Sequence, residues 1–138
     1  MATITPTHTS GHLLLFKSTD WHKDLSPDQI QQIMTRWNDW FEGLKNEGKL
    51  IAGSPLENEG RVVSTKTGSV ADGPFAESKE AVGGYFLLNV ESMDEAVAIA
   101  KQCPALGHGI IVEVRPVAPC CPADRMVDEV SAPSHATA

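Results

Sequence analysis

Two hydrophobic rhythms run along the chain, and the switches between them lay out its elements. "HLLLFK" (12–17) is a short apolar run with the length of a strand. "LSPDQ" then announces a helix. Ser26 is the N-cap, Pro27 sits at the first helical position where its missing N–H is harmless, and Gln29 completes a capping box. Ile30, Ile33, Met34, Trp37, Phe41 and Leu44 follow at helical spacing on one face. Gln31, Gln32, Asn38, Asp39 and Glu42 occupy the opposite face. On this register Trp37 points to the core and Trp40 to its margin. Gly48 fits the left-handed position that stops a helix.

The period-2 rhythm then returns. "KLIAGSP" (49–55) predicts a short strand. "RVVS" and "SVAD" flank "TKTG", which predicts a hairpin with Gly68 at positive φ. "GGYFLLNV" (83–90) is nearly all apolar, as expected of a central strand. Ser92 caps a second helix, with Glu95 closing a second capping box and Met93, Ala96, Val97 and Ala100 on the buried face. Cys103-Pro104 ends it, because a residue before proline avoids helical dihedrals. "GIIVEVRPV" (109–117) is the last strand, with Ile110, Val112 and Val114 on one face and Ile111, Glu113 and Arg115 on the other.

The order is strand, helix, strand, hairpin, strand, helix, strand. This is an α+β chain with a ferredoxin-like split βαβ repeat and an inserted hairpin. Residues 1–11 read as an N-terminal arm, 12–117 as the domain and 118–138 as a C-terminal tail. Both helices would cover one face of the sheet. The other face needs a cover too, because exposed apolar surface costs about 25 cal/mol per Å². A second copy is the natural cover, so a two-fold homodimer with its sheets face to face is expected, a dimeric α/β barrel.

Composition narrows the function classes. The 138 residues bury a core without disulfides or metal. A formal net charge of -7 opposes nucleic-acid binding, which needs a basic surface. No apolar run approaches the ~18 residues of a membrane span. "MATITPTHTSGH" lacks the basic flank and apolar centre of a signal peptide, so a cytoplasmic location is expected. Cys103, Cys120 and Cys121 form neither a disulfide framework nor paired zinc-ligand spacing. No metal and no cofactor is expected.

"ADGPFAESKEAVGGYF", "SMDEA" and "VEVRPV" together resemble the DGPF branch of the YCII-related proteins, over residues from His12 to about Val117. The resemblance implies a dimeric α/β barrel. Some relatives sit beside or are fused to sigma-factor-like regulators, and one branch includes a dehydrochlorinase of aromatic degradation. A His–Asp dyad has been proposed in another branch. Aligned on "NEGKL", its positions fall here on Trp37 and Cys103, neither of which can take its counterpart's role.

Other residues then become the candidates. Asp72 ordinarily would close an Asx-turn on the N–H two residues on, but that residue is Pro74, which has none. Its carboxylate is either a loop anchor or a ligand or catalytic group. His108 stands in "GHG", exposed by its glycines, and is the residue type that changes charge near neutrality. Asp72 and His108 are the catalytic pair if there is one. Trp37, Phe75, Glu77 and Arg115 are candidate ligand contacts. For each, packing or a solvated salt bridge is the competing reading. His12, at the start of a strand, reads as a surface or interface residue.

Three functions follow as expectations. The first is a small-molecule-binding homodimer, with a pocket between the sheet, the first helix and the DGPF loop. The second is a lyase or isomerase acting on a small cyclic or aromatic substrate by acid–base chemistry. The third is a regulatory partner of a sigma-factor-like transcription protein.

Overall fold

The computed structural model describes residues 11–64, 69–72, 81–118 and 123. Its elements are β1 (His12–Lys17), α1 (Pro27–Asn46), β2 (Leu50–Pro55), β3 (Arg61–Ser64), β4 (Ser69–Asp72), β5 (Val82–Leu88), α2 (Met93–Ala100) and β6 (Ile111–Pro116). β1, β2, β5 and β6 form one antiparallel sheet in the order β2-β5-β1-β6. That order is the ferredoxin-like one, and it makes β5 central, as its apolar run required. β3 and β4 pair separately, Arg61 opposite Asp72, as the inserted hairpin. Gly68 and the arm and tail segments 1–10 and 124–138 lie outside the described residues.

The local signals work as the sequence has them. The Ser26 hydroxyl accepts from the Gln29 N–H at 3.2 Å, and the Gln29 side-chain oxygen accepts from the Ser26 N–H at 2.9 Å. Two of the helix's orphan donors are thereby satisfied. Gly48, at φ 75°, follows the C-cap Glu47 in the left-handed conformation. On α2 only half the expected box forms: the Ser92 hydroxyl accepts from the Glu95 N–H at 3.1 Å. The Glu95 carboxylate instead lies 3.5 Å from Lys49.

The core lies between the two helices and one face of the sheet. Leu14, Phe16, Phe86 and Leu88 rise from the central strands against Ile33, Trp40, Leu44, Ala96 and Ile99. Several positions differ from the helical-wheel expectation. Trp40 is the buried indole, 9% exposed, while Trp37 is half-buried. The Trp40 ring meets Phe86 at 4.8 Å with a 45° tilt and Phe16 edge to face at 6.0 Å. Its indole N–H is buried with no hydrogen-bond partner among the described residues. Leaving such a donor unpaired costs roughly 1–3 kcal/mol, which the ring's packing offsets. Met34 is 46% exposed, and on α2 Met93 is 40% exposed while Ile99 is buried. The short α2 is rotated so that Ala96, Ile99 and Ala100 meet the sheet. It ends at Ala100, with Cys103 buried in the turn that follows. His12 is not a surface residue. It is 5% exposed and its Nδ1 lies 3.0 Å from the Val90 carbonyl, so it closes the end of the core.

The other sheet face carries Leu13, Leu15, Tyr85 and Leu87, half-buried, with Ile111 46% exposed at its edge. Lys17, Glu113 and Arg115 share this face. The Glu113 carboxylate meets the Lys17 ammonium at 2.5 Å and the Arg115 Nε at 3.8 Å. The Lys17 contact holds the Glu113 carboxyl below its usual range, with Arg115 adding to it.

Candidate functional site

The crossing from β1 to α1 builds one wall of a cavity. Ser18 turns the chain with φ 61°, the left-handed conformation that a serine adopts only in a tight corner. The Lys23 N–H then donates to the Asp20 carbonyl at 3.0 Å and the Leu25 N–H to the His22 carbonyl at 3.1 Å. Two successive turns therefore fix residues 20–25. Thr19 packs against Gly83, where an added Cβ would fall 2.1 Å from the Thr19 methyl. The loop can lie this close to β5 only because β5 has no side chain there. Trp21 packs on the edge of the core, and its ring meets that of His22 at 5.4 Å and 73°.

Between this loop, α1 and the end of the sheet lies a cavity of about 900 Å³. Ligand pockets commonly run from about 300 to 1,000 Å³. Phe16 and Phe86 stand on its sheet side and Trp37, Phe41 and Met34 on its helix side. The rings meet edge to face, Phe16 with Trp37 at 4.9 Å and Phe41 with Phe86 at 5.5 Å, the arrangement that opposes positive ring edges to negative faces. Gly53 and Gly84 keep the sheet low beneath them. A Cβ on Gly53 would stand 2.9 Å from Phe86 and 3.2 Å from Phe41, and one on Gly84 would stand 3.1 Å from the Ser54 carbonyl. The interior is thus aromatic and apolar.

The rim is polar. Asp20, His22, Lys23, Asn38 and Asn58 line it and are exposed. Lys23 lies 3.9 Å from Asp20, an exposed pair worth about 0–1 kcal/mol. Beyond its ring contact with Trp21, the His22 imidazole has no hydrogen-bond partner among the described residues. No group of three or more His, Cys, Asp or Glu is placed to hold a metal among the described residues.

Among the described residues, one of the expected site residues lies at this cavity. Trp37 lines it. Arg115 lies on the opposite sheet face, paired with Glu113. His108 ends a single 3-10 turn (Leu106–His108) before β6, is exposed, and is not among the lining residues. Gly109 turns the chain there at φ 104°. Asp72 ends β4; its side chain, and Phe75 and Glu77, lie outside the described residues. Cys103, on the second dyad position, is not among the lining residues, and burial pushes its thiol up to about 11. Sequence reasoning missed the loop "TDWHKD". Its signal was a large aromatic inside a short polar connection, which is unfavourable unless the ring turns back onto the core.

The comparisons bear on the whole domain. The model of the YCII-related domain matches residues 12–120. An uncharacterized protein of Rhizobium meliloti (strain 1021) is 43% identical over 53 residues, 36% of this chain and 40% of that protein. The match therefore spans well under half of that relative's length. Among solved structures, 5-chloro-2-hydroxyhydroquinone dehydrochlorinase from Burkholderia phenoliruptrix AC1100, in complex with 2,5-dihydroxybenzoquinone, aligns with a TM-score of 0.43 and 18% identity. That alignment covers 76% of this chain and 90% of the dehydrochlorinase, and at this level of likeness it bears on no chemistry here. A family match over nearly the whole folded region, on a sheet of ferredoxin-like order, leaves one conclusion: the chain belongs to the YCII-related family.

Proposed function

We propose that this protein is a small-molecule-binding homodimer whose ligand sits between α1, the sheet and the β1–α1 loop. The observation that carries the reading is the 900 Å³ cavity with an aromatic interior and a polar rim. Such a surface stays solvated at a cost, and a flat apolar ligand would relieve it. Dimerisation through the second sheet face is supported by its row of leucines, Leu13, Leu15 and Leu87, beside Tyr85. The acid–base reading built on Asp72 and His108 and the reading as a partner of a sigma-factor-like regulator are competing proposals, and the cavity favours neither.

A thermal-shift screen of one- and two-ring compounds tests the binding reading. A ligand held in the cavity at about 100 times its Kd stabilises the native state by about 2.7 kcal/mol. Trp37→Ala removes one wall and is expected to abolish that shift while leaving the protein folded. Hits that stabilise Trp37→Ala as strongly as the parent protein would place binding elsewhere.

A further inference from the structure

The cavity's interior and rim ask for different parts of one ligand. Phe16, Trp37, Phe41 and Phe86 offer ring edges and faces with no polar atom among their side chains except the Trp37 N–H. They select a flat ring. The rim adds hydrogen-bonding groups, and on the β1–α1 loop the balance favours donors. The only loop carboxylate lining the cavity is Asp20, which already faces Lys23 at 3.9 Å. That separation is too long for a hydrogen bond, so the ammonium keeps its donors free for a ligand. His22 adds an N–H in either tautomer and has no hydrogen-bond partner among the described residues. The backbone that carries both donors is held in place beforehand: Trp21 ties the loop to the core, Thr19 seats it on Gly83, and two backbone turns fix residues 20–25. Groups fixed before binding lose little entropy on binding.

We infer that the cavity takes a flat ring-bearing acid, its ring between Trp37 and the sheet and its anionic oxygens received by His22 and Lys23 on the β1–α1 loop. The inference rests on the binding role proposed for the cavity and names the ligand class. An anion contributes acceptors where the loop supplies donors, and charge-assisted hydrogen bonds are about twice as strong as neutral ones. Asp20 sets the limit on ligand charge, since a second anionic group placed beside it would be repelled.

The test uses the full chain and two probes of one shape, 2-naphthoate and its neutral counterpart 2-naphthalenemethanol, followed by quenching of tryptophan fluorescence. The parent protein is expected to bind the acid roughly 25-fold more tightly than the alcohol, about fivefold from each of the two contacts. His22→Ala and Lys23→Met should each weaken the acid about fivefold while leaving the alcohol unchanged, and His22→Gln, which restores an N–H donor, should recover part of the loss. Equal affinity for the two probes, or acid binding untouched by both substitutions, overturns the inference and leaves the cavity reading standing. Failure of both probes to bind overturns the cavity reading and the inference with it. All three variants alter exposed or rim side chains, so a folded protein with a native circular dichroism spectrum is expected in each case.

Discussion

Cys103 shows what burial does to a single group. It occupies a dyad position whose role it cannot take, and its surroundings make it a small apolar side chain. It is 4% exposed, and loss of solvation raises its thiol from 9.0 to about 11 despite contacts with the Ala105 and Leu106 backbone. Because the folded value lies above the unfolded one, its contribution to stability is complete below about pH 9. It fades as pH rises toward 11, where the unfolded chain has released the proton first. Denaturant unfolding of the parent protein and Cys103→Ala between pH 8 and 11 should therefore converge or cross. The difference should change by up to about 1.4 kcal/mol per pH unit over the upper part of that range. A constant difference would mean that the thiol is not held neutral by its site. The same residue scale explains Trp40 and Trp37. Three positions apart on one helix, they exchange the places that a wheel on an ideal axis gives them. Both indoles meet Phe16, and Trp40, the enclosed one, lies nearer Phe86, at 4.8 Å against 6.5 Å for Trp37.

At the scale of elements, local signals were readable wherever they close on themselves. The α1 capping box needs only Ser26 and Gln29, and it forms as spaced. The hairpin needs only two short runs and a turn, and β3 and β4 fall on those runs. The second capping box failed in part because Glu95 has a competitor from outside its helix, the Lys49 ammonium. The β1–α1 loop was not readable, because its shape depends on a strand far along the chain. Gly83 is the point of contact, and it gives a prediction at this scale. Gly83→Ala should destabilise by roughly 1–3 kcal/mol by driving a methyl into Thr19. Thr19→Ser removes the struck methyl, so the double variant should recover most of that loss. Strictly additive costs would show that the loop does not rest on β5.

For the whole molecule, the sheet presents one face to the helices and keeps a second, mixed face. Leu13, Leu15, Tyr85 and Leu87 on that face give the proposed dimer its surface, and the Lys17–Glu113–Arg115 cluster gives it a charged margin. Sedimentation velocity at micromolar concentration should show a dimer. Leu15→Lys, opposite Glu113 on β6 and Tyr85 on β5, should shift it to monomer without unfolding it. A parent protein that sediments as a monomer removes the face-to-face arrangement, whatever the cavity binds.

By itself the sequence determined the order of elements, the start of both helices, the hairpin and the family, because each rests on near-neighbour spacing or on a contiguous motif. The tertiary structure decided what lies in contact across the chain. It joined Thr19 to Gly83, folded Trp21 onto the core, enclosed His12 against Val90, and set Trp37 opposite a floor of Gly53 and Gly84. A cavity is made by what its neighbours leave unfilled, and that space is fixed only when the elements pack.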